Sequence, residues 1–274
     1  MSESRTAAAI SAKNNRALVG YLPLGYPDLE QSVAAAVTLA ESGATVLELG
    51  IPYTDPALDG PVIQAATTES LARGFRLRDT FTAIEAIREK TDVPLLVMTY
   101  WNPVLAFGVD RFAAELARAG GAGLITPDLV PENAAEWIEA SDRHDLDRVF
   151  LAAPSSSESR LRTVIDSSRG FVYTVSTMGT TGVRQDVDTA AKTLTARLRD
   201  LDAEMCCVGL GISTAKQVSD VLEYADGAIV GSAFVTALRD GGISQLEATA
   251  SALAAGTMSQ DSSSLSSDSS REAQ

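Results

Sequence analysis

Short apolar runs alternate with longer stretches of helical periodicity along most of the chain. Eight of these runs are rich in β-branched and other apolar residues, as parallel strands covered on both faces are. The predicted strands are 17–22, 45–49, 94–98, 123–125, 148–152, 170–175, 205–208 and 227–230. Eight successive β-then-α units favour a single closed (β/α)₈ barrel, the TIM barrel, although an open doubly wound sheet fits the same pattern.

The segments between the strands carry helix start and stop signals. Asp28 is a predicted N-cap with Gln31 three residues later, and Gly43 follows the helix that they begin. Pro61 suits a first helical position, and Gly74 follows the next helix. Further helices are predicted over 79–89, 110–119, 132–143, 158–168, 186–198, 214–223 and 244–255, with a short helix within residues 2–13.

The pattern predicts one domain and a tail. The chain has 274 residues, of which 45% are hydrophobic, enough for the core of one large domain. We assign residues 1–257 to the barrel and its N-terminal extension. Residues 258–274 are mostly Ser, Asp, Gln and Glu without periodicity, and we expect a disordered tail there.

Charge and targeting signals narrow the possible partners. The net charge is −14 and the sequence pI is about 4.5, which argues against nucleic acid as a partner. Any phosphate must then be held by local backbone groups. No apolar run reaches the ~18 residues of a membrane span, and the N-terminus lacks a secretory signal. We expect a soluble cytoplasmic protein that binds no membrane.

Cysteine and histidine are scarce. Cys206 and Cys207 are neighbours on a predicted strand, where their side chains point to opposite faces, so we expect two buried thiols and no disulfide. The single histidine, His144, lies in polar surroundings typical of an exposed helix end. Multi-histidine metal sites and imidazole triads would have to be built around this one residue. We therefore expect carboxylates to perform any acid–base chemistry, and no metal.

Acidic residues stand where the second strand ends, and active sites of this fold lie at the C-terminal ends of the strands. Glu48 is an acid within an apolar strand, where desolvation would raise its pKa and suit it to proton transfer. Asp55 and Asp59 follow on a proline-rich loop. The sequence leaves open the alternative that Glu48 is a structural acid in a salt bridge and Asp59 a helix N-terminal acid.

Glycine-rich loops follow the later strands. Gly209 and Gly211 follow the seventh strand, and Gly231 and Ser232 follow the eighth. Such loops bring backbone amides close to an anion, and these two are the usual phosphate clamp of the fold. After the sixth strand, the polar segment 176–184 with two glycines predicts a closing lid, although a flexible surface loop would look the same.

These motifs together resemble one family, the tryptophan synthase alpha subunits. The segment 48–61, ELGIPYTDPALDGP, is similar to the signature of that family. The pieces LGYPD at 24–28, MTYWNP at 98–103, GLGIS at 209–213 and GSA at 231–233 agree in order. The likeness runs from about residue 17 to residue 255 without large gaps.

The resemblance implies a lyase that cleaves indole-3-glycerol phosphate to indole and glyceraldehyde 3-phosphate, without a cofactor of its own. It implies that Glu48 is the acid–base residue and that Asp59 stabilises or removes the indole N–H proton. The residues implied to bind substrate are, for the indole pocket, Tyr21, Tyr100, Ile125 and Tyr173; for the phosphate, Gly182, Gly211, Gly231 and Ser232; and, in the lid, Thr181.

A partner is implied as well: a tryptophan synthase beta subunit carrying pyridoxal phosphate, in an α₂β₂ heterotetramer. Its contact regions match Pro52, Asp55, Pro56, Asn102 and Pro103. The chain departs from the family pattern at Thr180, Thr54 and the segment 128–131, which puts lid packing and partner coupling in doubt. The rivals are a free-standing lyase, a phosphate-binding barrel isomerase and a non-catalytic regulatory barrel.

Overall fold

Nine parallel strands form one sheet in the computed structural model, which describes residues 2–175, 184–209 and 211–258. The strands are β1 Ala17–Pro23, β2 Val46–Gly50, β3 Leu95–Met98, β4 Gly123–Ile125, β5 Asp147–Val149, β6 Leu151–Ala152, β7 Val172–Val175, β8 Cys206–Gly209 and β9 Gly227–Val230. Their order is β5-β4-β3-β2-β1-β9-β8-β7-β6, and each named pairing is parallel.

The segment from Asp147 to Ala152 closes this sheet into a barrel. The prediction of one strand over 148–152 was wrong in one respect, because the structure divides it at Phe150 into β5 and β6. β5 pairs with β4, whereas β6 pairs with β7, so the strand changes its hydrogen-bonding neighbour at the break. The amide of Tyr173 donates to the carbonyl of Phe150 over 3.0 Å. The predicted TIM barrel is confirmed.

Helices cover the outside of the barrel. They are α1 Arg5–Ser11, α2 Leu29–Glu41, α3 Pro61–Ala72, α4 Asp79–Arg88, α5 Trp101–Phe107, α6 Val109–Arg118, α7 Ala135–Arg143, α8 Glu158–Ser167, α9 Arg184–Arg199, α10 Ala215–Val221 and α11 Ser232–Ala254. Short 3₁₀ turns occupy Pro131–Asn133 and Ala255–Thr257. Within the described ranges, no helix is long and apolar enough to cross a membrane.

Most helices begin and end where the sequence signals predict, but three differ from the prediction. The carboxylate of Asp28 accepts from the Gln31 amide over 2.8 Å, as predicted for the start of α2. The sequence pattern missed α5 and the first part of α11, which bends at Gly242, where φ is 63°. The helix predicted over 132–143 is a 3₁₀ turn followed by α7. Met258 is described, while the rest of the predicted tail, 259–274, lies outside the described residues.

Side chains that point into the barrel form a core of their own, separate from the larger core under the helices. Ile10 of α1 is fully buried in this inner core, so the N-terminal helix covers the end of the barrel where the strands begin. Cys207 belongs to the inner core and Cys206 to the outer one, and both are buried free thiols, as predicted. The opposite end, where the strands finish, holds the candidate active site.

Candidate active site

Glu48 lies in the middle of β2 and points into the barrel near its C-terminal end. The side chain is 1% exposed, and its Oε2 atom has no hydrogen-bond partner within the described parts of the chain. Burial raises the pKa of Glu48 to about 8, and the nearby carboxyl of Asp59 adds to that rise. The pKa agrees with the sequence argument for a desolvated acid and contradicts the alternative of a salt-bridged structural acid.

Asp59 reaches the same space from the loop between β2 and α3. Gly60 and Pro61 end this loop, because Gly60 is the N-cap of α3 and Pro61 its first residue. The side chain of Asp59 is half-buried, and desolvation raises its pKa to about 6. Near neutral pH, therefore, Glu48 holds its proton while Asp59 is mostly ionised.

Two tyrosines pack against glycines on neighbouring strands. A Cβ atom at Gly50 would lie 2.4 Å from the hydroxyl oxygen of Tyr21, and one at Gly209 would lie 2.7 Å from that of Tyr173. Any larger residue at either glycine would therefore displace a ring from the site. Desolvation raises the pKa of both phenols well above its usual value, with Glu48 and Asp59 adding to the rise, so both hydroxyls stay neutral.

These residues surround one cavity of about 200 Å³ at the C-terminal end of the barrel. The two carboxylates and the two tyrosines form one part of its wall, and the glycine-rich loops form another. The lining residues are Tyr21, Glu48, Leu58, Asp59, Gly60, Ile63, Met98, Tyr173, Gly209, Gly211, Ile229, Gly231 and Ser232. The arrangement can exchange protons with a flat apolar group while the loops receive a polar one.

The two glycine loops differ in the backbone amides that they leave available. At α10, the side chain of Gln217 accepts from the amides of Ser213 and Thr214, over 2.8 and 3.1 Å. At α11, no side chain within the described residues caps the helix, whose first residue is Ser232. The α11 N-terminus is therefore the better anion site of the two. A second cavity, of about 540 Å³, shares Gly211 and Ser232 and extends along α11.

Some predicted substrate residues lie elsewhere. Ile125 is fully buried inside the barrel and is not among the residues that line the cavity, so its role in the indole pocket stays a prediction. Tyr100 is also absent from the lining, although its hydroxyl accepts from the amide of Leu58, which does line it. Thr181 and Gly182 of the predicted lid lie outside the described residues, as do Thr180 and Leu210.

Four apolar lining residues were missed by the sequence reasoning: Leu58, Ile63, Met98 and Ile229. Met98 and Ile229 lie close to the C-terminal ends of predicted strands, and strand alternation could have found them. Ile63 is in the first turn of α3, and no sequence signal pointed it toward the site. Fold and site together define a (β/α)₈-barrel enzyme whose carboxyl pair lies at the catalytic end of the barrel.

Comparison with known proteins gives the family. The family of tryptophan synthase alpha chains matches residues 7–263. The tryptophan synthase alpha chain of Leifsonia xyli is 61% identical over 258 residues, covering 93% of this chain and 99% of that one. A structure of Mycobacterium tuberculosis tryptophan synthase superposes with a TM-score of 0.88 at 49% identity, covering 93% and 99% of the two chains. The A-subunit from Pyrococcus furiosus gives 0.80 at 33% identity, covering 87% and 97%. This chain belongs to the tryptophan synthase alpha chain family.

Proposed function

We propose that Glu48 and Asp59 are the catalytic pair of this enzyme. As a tryptophan synthase alpha chain, the protein is a lyase of tryptophan biosynthesis that cleaves indole-3-glycerol phosphate to indole and glyceraldehyde 3-phosphate. The observation that carries the catalytic assignment is the buried carboxyl of Glu48, which lines one cavity with Asp59 and whose Oε2 atom has no hydrogen-bond partner among the described residues. Their pKa values of about 8 and about 6 place one proton on Glu48 at neutral pH.

The reaction needs a protonated acid and an ionised one. Indole is a poor carbanion leaving group, so C3 must gain a proton before the carbon–carbon bond breaks. Glu48 gives its proton to C3, and the carboxylate of Asp59 stabilises the positive charge that this places on the ring N–H. As the bond breaks, the Glu48 carboxylate takes the proton of the 3′-hydroxyl, whose oxygen becomes the aldehyde oxygen. The bond electrons restore neutral indole, and Glu48 ends protonated as it began.

The phosphate of the substrate is proposed to bind at the α11 N-terminus, between Gly211 and Ser232. A Cβ atom at Gly211 would meet nothing within 4 Å in the described structure, so it would project into open space. Gly211→Ala should weaken competition by inorganic phosphate through strain, because φ there is +61°, and by occupying that space. Gly231 is proposed to contribute alongside, and the resemblance supports Gly182 as a further phosphate contact and Thr181 as a lid residue that meets Asp59.

Substituting Asp59 tests this assignment. Asp59→Asn removes the charge that stabilises the protonated indole ring, so kcat for indole release from indole-3-glycerol phosphate should fall by ~10² or more. The affinity for inorganic phosphate, measured by competition, should not change. A variant in which KM alone rises would make Asp59 a binding residue and leave Glu48 without its proposed partner in catalysis.

A beta subunit is the expected partner, because the family is the alpha chain of tryptophan synthase. We propose an α₂β₂ assembly in the cytoplasm, with pyridoxal phosphate on the beta subunit and no cofactor on this chain. Of the three large apolar side chains that are clearly exposed in the described structure, Leu58 and Leu105 lie in segments following β2 and β3. Both segments lie at the C-terminal end of the barrel, close to Pro52, Asp55, Pro56, Asn102 and Pro103. Exposed apolar side chains beside polar ones are typical of a docking face.

A charge substitution tests the docking face. Leu105→Glu should weaken the complex with the beta subunit from the same organism by at least ~10-fold in Kd, because it buries a carboxylate in the contact. Lys90→Glu is the matched control, since Lys90 is exposed where β3 begins, at the opposite end of the barrel. Equal affinities for the two variants would place the contact elsewhere. Brisk activity alone and no complex at all would favour the free-standing lyase.

A further inference from the structure

The loop that carries Asp59 has few backbone bonds to the rest of the barrel. It runs from Ile51 to Gly60 without a strand or helix. At its start, the Ile51 amide donates to the Met98 carbonyl over 2.9 Å. Between Tyr53 and Asp59, the backbone hydrogen bonds within the described residues are internal to the loop, including that from the Asp59 amide to the Pro56 carbonyl over 3.0 Å. At its end, the Gly60 carbonyl accepts from the Gln64 amide of α3 over 2.9 Å. Side chains must therefore supply much of what fixes the position of its carboxylate.

Tyr100 holds this loop from a different βα unit. Its hydroxyl accepts the amide hydrogen of Leu58 over 2.9 Å, one residue before Asp59. Its ring stacks on that of Tyr53 in the same loop, with centroids 4.9 Å apart and planes at 26°. Burial raises the pKa of Tyr100 to about 12, so the hydroxyl remains neutral. Tyr100 thus contacts the loop at two points between β2 and Asp59.

Gln64 holds the loop from the other side. It lies in the first turns of α3, and its side-chain amide donates to the carbonyl of Asp59 over 2.9 Å. The same amide is 3.3 Å from the carbonyl of Pro56. Asp59 is therefore bracketed: Tyr100 accepts the amide just before it, and Gln64 donates to its own carbonyl.

We propose that Tyr100 and Gln64 are positioning residues that clamp the backbone on both sides of Asp59 and aim its carboxylate at the substrate. This inference rests on the proposed function of Asp59. It gives Tyr100 a role through its hydroxyl, beyond the apolar wall that the family resemblance implies, and it adds Gln64 to the site. Loss of alignment by about 1 Å can cost ~10²-fold in rate, so a partial loosening is expected to be measurable.

Two variants each remove the hydrogen bonds of one clamping side chain and keep its shape. Tyr100→Phe retains the ring and its stack on Tyr53, and Gln64→Met retains the chain length at an exposed position. Each should lower kcat about tenfold with KM for indole-3-glycerol phosphate changed less than twofold, in the full-length chain. Tyr224→Phe, which removes a hydroxyl close to the start of β9, is the control and should turn over normally.

A second measurement separates positioning from general destabilisation. In an Asp59→Asn background, adding Tyr100→Phe or Gln64→Met should change the residual kcat less than twofold, because no charge remains to be aimed. A merely structural contact would lower the rate in both backgrounds alike. In the single variants Tyr100→Phe and Gln64→Met, the pKa of Asp59, followed by NMR of labelled aspartate, should lie below that of the parent chain, because the loosened loop admits water.

The outcomes distinguish the two proposals. If Asp59→Asn abolishes turnover while Tyr100→Phe and Gln64→Met turn over within twofold of the parent chain, the clamp is refuted and the catalytic assignment stands. A rise in KM with unchanged kcat in Tyr100→Phe would also refute it, since that marks a wall of the indole pocket. If Asp59→Asn itself keeps normal turnover, the proposed function fails first.

Discussion

The two ends of the barrel treat equally buried carboxyls in opposite ways. Asp147, at the end where the strands begin, is 2% exposed, and Glu48, near the end where they finish, is 1% exposed. Asp147 accepts from the hydroxyl of Ser4 over 2.9 Å and from the amide of Thr6 over 3.2 Å, and Arg169 lies 3.5 Å away. Among the described residues, the Oε2 atom of Glu48 has no such partner.

Asp226 is a second buried and satisfied carboxylate at the end of the barrel where the strands begin. It is 4% exposed, accepts from the Cys206 amide over 2.7 Å and is paired with Arg199. Buried charges that serve stability are satisfied, because an unpaired one costs several kcal/mol. The carboxyl left unsatisfied is therefore the informative one. The barrel separates the buried carboxyls that stabilise it from the pair that we propose to move protons, as its architecture allows.

The largest expected effect is on turnover at the catalytic end. Glu48→Gln keeps the side-chain volume but cannot transfer a proton, so kcat for indole release should fall by ~10² to 10⁴. The inhibition constant of inorganic phosphate, measured by competition with substrate, should be the same as in the parent chain. Near-normal turnover in this variant would remove the distinction between the two ends, since Glu48 would then be one more structural acid.

The reverse effect is expected at the other end. Asp147→Ala leaves the Thr6 amide and part of Arg169 unsatisfied, so the free energy of unfolding should fall by about 2 to 3 kcal/mol in urea titrations. Below its melting temperature, the variant should keep kcat within twofold. Asp145→Ala is the control: Asp145 is exposed and also contacts Arg169, so its loss should cost less than about 1 kcal/mol. A large loss of kcat in folded Asp147→Ala would contradict the separation.

Much of the fold, and the meeting of Glu48 and Asp59 at one cavity, could be predicted from the sequence, because periodicity and punctuation are local signals. The alternation of apolar runs placed the strands to within a few residues, and an acid in an apolar strand identified Glu48. The division of the predicted strand into β5 and β6 at Phe150 could not be predicted, because it depends on pairing with β4 before the break and with β7 after it. Likewise, the sequence could not show how deeply Ile125 is buried, since family likeness fixes a position in the chain but not the depth of a side chain.

The contacts of Tyr100 and Gln64 with the loop around Asp59 could not be predicted from the sequence either. Tyr100 comes from the next βα unit, and its contact with the loop arises from tertiary packing. Gln64 lies only a few residues after Asp59, but no sequence signal pointed its side chain back to the loop. No spacing rule connects residue 100 with residue 58. Likewise, the Gln217 side chain takes the amides of Ser213 and Thr214. The GLGIS motif alone could not show that α11 has the freer amides, because glycine-rich sequence does not record which donors are already satisfied.

A further effect concerns the free energy of unfolding, because the buried Glu48 destabilises the folded chain when it ionises. Its pKa is about 8 when folded and 4.5 ordinarily, so the folded chain binds this proton more tightly than the unfolded chain. The stabilising contribution of that proton is complete below pH 4.5 and is lost as the pH rises toward 8. Glu48→Gln does not ionise, so its stability relative to the parent chain should increase by about 3.5 kcal/mol between pH 5 and pH 8. Urea titrations at both pH values check this, and a constant difference would mean that Glu48 is not desolvated.

The smallest expected effect is the shape of the pH–rate profile, which tests both members of the pair at once. Asp59 must be ionised and Glu48 protonated, so kcat/KM should rise with pH through about 6, level off, and fall above about 8. Each limb should approach a tenfold change per pH unit. The substrate phosphate also titrates near 6, so the lower limb needs a control: its own pKa should be measured by ³¹P NMR and divided out. The upper limb has no such overlap and should be governed by Glu48. A profile that stays flat up to pH 10 would place the catalytic proton on some group other than Glu48.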